Sequence, residues 1–229
     1  MDNLLNIANV VPEMGNGGKK IKEELIREAA KVVPGNAIVD IAPFLGSTTV
    51  FLSYGLFKSE NLESTIYSVD LWDINLNEKY QKWLDCKKLD ITDLRQEYNK
   101  NIKPFTDEGI RIKPIKSDIR NYNYSGELIQ IIVDDSGVDK GMTDHVLKSM
   151  SPYFIPGKTI IFFMDYYFFQ NYHDFESRLY QHDLMEVNKK VFKFIEHPKN
   201  SCTAIYQYLG GEINFIESDK YYYNWEGVR

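Results

Sequence analysis

Cysteine is nearly absent from this sequence. Cys86 and Cys202 lie far apart, with no C-x-x-C pair and no Cys/His cluster, which excludes a disulfide scaffold and a structural zinc site. Long apolar runs are missing too: even residues 159–169 are interrupted by Asp165, so no segment reaches membrane-spanning length. The opening Met1-Asp2-Asn3 lacks the basic-then-apolar order of a secretory leader. Nor is there an excess of positive charge. Lys and Arg number 27 against 33 Asp and Glu, giving a net charge of -6 and a pI near 5.3, which argues against general binding to nucleic acid or to an anionic membrane. These absences lead us to expect a soluble, cytoplasmic protein with reduced thiols and a small molecule as partner.

The chain's 229 residues and ordinary composition suit a single domain spanning 1–229, with a core large enough to fold without staples. Its organising stretch is 38–49, I-V-D-I-A-P-F-L-G-S-T-T. An apolar run, 37–41, reads as a buried strand, and 45–49 turns into a helix that Ser47 or Thr48 would cap. Gly46 would let a ligand lie against the backbone. Asp40 is awkward beside a pyrophosphate, and one glycine is too few for a dinucleotide turn. A cationic ligand such as S-adenosylmethionine fits better; the competing reading is an Asp that only caps a neighbouring loop.

Residues 9–20, rich in Gly with Pro12, read as a loop leading into a helix over 20–33. A second strand, 65–69, ends in Asp70-Leu71-Trp72, where an acid can take both hydroxyls of a ribose; a helix cap is the alternative for Asp70, and core packing for Trp72. The charged segment 76–103 predicts two short helices, an insertion suited to a substrate lid or a solvated pair. A third strand, 110–115, leads to Asp118 and Ile119, and a central strand, 128–133, ends in Asp134-Asp135-Ser136. A helix over 141–150 precedes strand 159–164 and then Asp165; a helix near 174–180, a strand 187–195 and a last strand 202–208 complete the pattern. Carboxylates thus recur at strand ends, where α/β sheets bind ligands. Aromatic runs at 162–169 and 221–223 suit a stacking wall or ordinary packing; the tail 212–229 would either fold back on the pocket or join two subunits of a homo-oligomer.

A parallel α/β sheet finished by an antiparallel hairpin, with V-D-I-A-P-F-L-G-S-T, S-V-D-L-W, I-V-D-D-S and M-D-Y in that order, resembles the class I S-adenosylmethionine-dependent methyltransferases, in particular the macrocin-type sugar O-methyltransferases. The resemblance spans about 20–211. It implies a Rossmann-like three-layer α/β sandwich around a seven-stranded, mostly parallel sheet. It also implies methyl transfer to a hydroxyl of a small molecule, with a sugar or glycan precursor favoured. Asp40, Ala42, Gly46 and Ser47 would border the methionine half of the cofactor, Asp70, Leu71 and Trp72 the ribose side, Asp118 and Ile119 the adenine, and Asp134 the departing methyl. In metal-using relatives, carboxylates after the fourth and fifth strands bind a divalent ion. The matching positions are Asp134, Asp135 and Asp165, and oxygen ligands suit Mg2+.

The sequence departs from the pattern at Ala42, where glycine is usual and a methyl crowds the cofactor, at Tyr166 in place of a further Asp, and at 135–138. An alcohol acceptor needs a base, for which Asp134 is preferred and His173 is the best placed of the four histidines. A metal-independent N-methyltransferase and a non-catalytic module that kept the fold are the alternatives.

Overall fold

The computed structural model describes residues 2–13, 18–75, 78–171 and 176–221. A sheet of seven strands runs through it: β1 (Ala37–Ile41), β2 (Thr65–Asp70), β3 (Arg111–Lys116), β4 (Ile129–Asp134), β5 (Ile160–Phe163), β6 (Phe192–Glu196) and β7 (Ala204–Tyr208). Their spatial order is β3-β2-β1-β4-β5-β7-β6. The first five pair in parallel, and β7 runs antiparallel to both β5 and β6. The expected architecture is present.

Alternating side chains send Ile38 and Val39 into different cores. On one face lie α1 (Asp2–Val10), α2 (Lys19–Ala29), α3 (Ser47–Lys58), α4 (Glu78–Lys87) and α5 (Leu94–Asp107), with Leu25, Phe51, Tyr98 and Phe105 buried there. On the other lie α6 (Lys140–Met150) and α7 (Tyr180–Val187), which bury Leu147, Tyr180 and Leu184. Helices α2 and α3 touch so closely at Gly55 that a Cβ there would stand 2.5 Å from the Ile26 carbonyl oxygen.

Three readings of the sequence need correction. The first helix, α1, was not foreseen, although Leu4, Ala8 and Val11 are buried at helical spacing. Residues 187–191 are not strand. Tyr180, Leu184 and Met185 bury one face of α7, which runs to an exposed Val187 instead of ending near 180, and 188–191 form the turn that leads into β6. The segment 76–103 is also not one insertion: α5 is the crossover helix between β2 and β3, its Tyr98, Ile102 and Phe105 buried against the sheet, and only α4 is additional.

The tail folds back on its own chain. Asn188 accepts from the Asn214 N–H at 2.8 Å, and the Tyr221 hydroxyl donates to Asp183 at 2.6 Å beside the Tyr180 ring. Tyr222 and Tyr223 lie outside the described residues.

Candidate active site

Strands β1, β2, β4 and β5 all deliver their C-terminal ends to one edge of the sheet, because they are parallel and adjacent. The turn after β1 is unusual. Ala42 has φ +57°, Phe44 +53° and Gly46 +94°, so two residues with side chains hold the left-handed conformation that glycine adopts at no steric cost. Ala42 is anchored by its N–H to the Val69 carbonyl at 2.8 Å.

Asp40 supports this turn from beneath. It is fully buried and accepts from the Thr48 hydroxyl at 2.9 Å and the Thr49 hydroxyl at 2.5 Å. Loss of hydration raises its pKa to about 7, against the two hydroxyl bonds, and the charge of Asp70 adds to the rise. These bonds tie Asp40 to the first turn of α3 rather than to a neighbouring loop. Neither Ser47 nor Thr48 caps α3; Gly46 is the N-cap, with no side-chain hydrogen bond. Gly46 itself faces the core, since a Cβ there would lie 3.1 Å from the Tyr98 ring.

Asp70 ties the second turn to the first. Its carboxylate accepts from the Phe44 N–H at 3.0 Å and the Trp72 N–H at 2.7 Å, while the side chain remains half-buried. Desolvation raises its pKa and the backbone bonds from Trp72, Phe44 and Leu71 oppose the rise. Trp72 is spent on the core: its ring lies 4.8 Å from Tyr98 and its indole N–H donates to the Phe44 carbonyl at 2.9 Å. It is thus withdrawn from stacking on a purine.

Asp118 pairs with Arg120 at 2.5 Å, which holds its pKa below the usual carboxylate range, and neighbouring Ile119 is buried. Asp134 is 2 % exposed. Its Oδ1 accepts from the Ser136 N–H at 3.1 Å and hydroxyl at 2.6 Å, whereas Oδ2 is buried with no partner. Burial lifts its pKa to about 6 despite the Ser136 bonds, helped by the charges of Asp165 and Asp139. Asp135 is reached by water, yet protein surrounds it closely enough that lost hydration, followed by the charges of Asp165, Asp134, Asp40 and Asp70, pushes it well above the ordinary range. Asp165 is raised by desolvation, and Arg178 partly offsets this.

Among the described residues, no three His, Cys, Asp or Glu side chains stand together as ion ligands. Nothing among the described residues therefore supports the Mg2+ that the resemblance implied for Asp134, Asp135 and Asp165. His173 lies outside the described residues. His145 is tied to the Tyr122 carbonyl at 2.9 Å, His182 to Asp183 at 3.3 Å, and His197 stacks on Tyr167.

A cavity of about 80 Å³ opens at this edge, lined among others by Ala42, Ser47, Asp135 and Met164, and walled by Pro12 and Glu13 of the N-terminal segment. Ser47 donates to Glu13 at 3.3 Å, which holds that wall in place. Binding pockets for cofactor-sized ligands run to roughly 300–1,000 Å³, so this crevice has to open for one. A larger cavity of about 540 Å³ lies on the outer side of α4, between Ile74, Gln81, Lys88 and Ile91, and no strand-end carboxylate borders it.

Sequence reasoning missed Tyr80. From α4 its ring stacks on Phe44 at 5.3 Å, with Trp83 edge-on to Phe44 at 5.5 Å. Burial raises the Tyr80 hydroxyl, and the charges of Asp70 and Asp135 raise it further, so α4 brings this side chain to the acidic crevice. The aromatic residue four positions before the α4 core residue Leu84 was the available signal, but no local pattern says which way such a ring turns.

No protein-family model matches the chain, and no curated protein does. Solved structures do. The O-methyltransferase NovP superposes with a TM-score of 0.60 at 13% identity, over 84% of this chain and 81% of that one. This is the class I methyltransferase fold. CalS11, a TDP-rhamnose 3'-O-methyltransferase, gives 0.54 at 15% identity over 82% and 76%, and a putative rRNA-methylase from Clostridium thermocellum gives 0.56 at 16% over 85% and 98%. Methyltransferases of this fold from Podospora anserina and Bacillus cereus are held with S-adenosylhomocysteine (SAH). Among the described residues, no helix is long and apolar enough to cross a membrane.

Proposed function

We propose that this protein transfers a methyl group from S-adenosylmethionine to a hydroxyl of a small molecule, with a sugar or glycan precursor as the favoured class. The observation that carries the proposal is the gathering of Asp40, Asp70, Asp134, Asp135 and Asp165 at the end of adjacent parallel strands, where burial raises all five and neighbouring carboxylate charge adds to the rise at Asp40, Asp134 and Asp135. A cationic ligand relieves that repulsion. Once bound, the cofactor supplies a methyl already activated by its sulfonium.

The chain's own residues then align and deprotonate. Asp70 already accepts backbone N–H groups, among them Phe44 on one oxygen and Trp72 on the other, and its remaining lone pairs would take the ribose hydroxyls. Asp118 and Ile119 would border the adenine, and Ala42 and Ser47 the methionine half. Leu71 contributes backbone beside Asp70. Asp134 Oδ2 is free to take the acceptor proton, and a carboxyl at about 6 is a better base than an ordinary one while still ionised near neutral pH. Phe44, Tyr80 and Trp83 would keep water out. No step is assigned to a metal.

The net charge of -6 favours a small acceptor over the RNA suggested by the name of one structural neighbour. Calorimetric titration with SAH tests the cofactor before any acceptor is known. Micromolar binding without added magnesium is expected. Failure to bind in any buffer shifts the reading to a non-catalytic module, and product analysis separates O- from N-methylation.

A further inference from the structure

The acceptor half of the crevice lies at β4 and β5, two and three strands away from the ribose carboxylate on β2, a span of roughly 10–14 Å at ordinary strand spacing. Asp134 stands opposite Phe163 in the parallel register, and the Met164 N–H donates to the Asp134 carbonyl at 3.0 Å. The two strands therefore release Asp134-Asp135 and Met164-Asp165 side by side. Asp135 and Met164 line the cavity, and Glu13 closes its other wall. The cations near these acids are already engaged. Lys22 is bound to Glu13 at 3.0 Å, and the charge of Arg178 eases the ionisation of Asp165. An independent feature at the same place is Asp134 Oδ2, a buried carboxylate oxygen with no donor. Such an atom is unfavourable until a ligand supplies a hydrogen-bond donor to it.

We propose that the acceptor is itself a cation: a hydroxyl compound bearing a protonated amine, of the amino-sugar or amino-alcohol class, whose ammonium is held by Asp135 and Asp165 while its hydroxyl donates to Asp134 Oδ2. The proposal rests on the methyl-transfer reading above. In the reaction the hydroxyl oxygen bonds the methyl carbon, the electron pair of the broken carbon–sulfur bond stays on sulfur, and the hydroxyl proton passes to Asp134. The ion-paired ammonium has no lone pair and is not methylated. Anionic acceptors, nucleoside-diphosphate sugars among them, meet repulsion from the same carboxylates.

The test is saturation-transfer NMR on protein loaded with SAH, using three probes of one ring type: D-glucosamine, D-glucose and D-glucuronate. Glucosamine is expected to bind at least about tenfold more tightly than glucose, and glucuronate not at all. In Asp165→Asn, and in Asp135→Asn with Asp165→Asn, each brought to full SAH loading before the sugars are added, that preference should fall below about threefold. Glucose or glucuronate binding as well as glucosamine, none of the three binding to SAH-loaded protein, or a preference that survives both variants overturns the proposal. Failure to bind SAH is seen at the loading step and removes the methyl-transfer reading instead.

Discussion

Asp70, at the end of β2, reaches across to the turn after β1 and accepts the Phe44 N–H at 3.0 Å, so one carboxylate fixes the shape of two turns at the same sheet edge. Replacing it therefore does two things. Asp70→Ala should weaken SAH binding at least about tenfold and also lower stability by about 1–3 kcal/mol, because two backbone N–H groups lose their acceptor. Titration calorimetry and thermal unfolding read the two effects apart. A destabilised variant with unchanged SAH affinity would leave Asp70 a purely structural role.

Asp134 makes a prediction about rate. With its pKa at about 6, turnover should climb as pH rises through that value and level off near neutrality. Asp134→Asn should keep SAH affinity and lose most turnover at every pH. A fully active variant would remove the base.

Asp40 and Asp134 also set how stability depends on pH. Their folded values of about 7 and about 6 lie above the 3.8 of an unperturbed Asp, so between roughly pH 4 and pH 7 the folded protein binds more protons than the unfolded chain. Stability should consequently fall as pH rises through that window. Moving a carboxyl from 3.8 to about 7 costs its ionised form up to about 4 kcal/mol. Asp40→Asn keeps an oxygen for the Thr48 or Thr49 hydroxyl, so it should melt above the wild type at pH 8 and level with it at pH 4. A lower melting point at both pH values would mean that the two hydroxyls require the charged acceptor.

Ala42 holds φ +57° and its methyl borders the cavity. In Ala42→Gly the relief of left-handed strain, about 1–2 kcal/mol, is largely offset by glycine's extra entropy in the unfolded chain. Thermal stability should barely change. SAH affinity should rise, and a fall would show that the methyl packs on the ligand rather than crowding it.

The α4 aromatics offer a last check. Tyr80→Ala removes the stack on Phe44, worth about 0.5–1.5 kcal/mol, from a half-buried position of α4, and leaves the helix's core residue Leu84 in place. The fold should survive with slower turnover, whereas unchanged turnover would place α4 outside the working site.

Much of this protein was written locally. The alternation of buried apolar runs with helical segments, the carboxylates at the ends of β1, β2, β4 and β5, and the closing hairpin were all legible, because strand periodicity and turn residues act over a few positions. Local pattern could not say where each carboxylate points. Only packing turned Asp40 onto Thr48 and Thr49, drew Trp72 against Tyr98, and left one oxygen of Asp134 without a partner. The same holds for α7, expected near 174–180 but placed at Tyr180–Val187 because Tyr180, Leu184 and Met185 meet the core on one face. Sequence by itself determined which groups arrive at the sheet edge. The tertiary structure decided which of them remain available to a ligand, since burial and hydrogen-bond partners come from residues far apart along the chain.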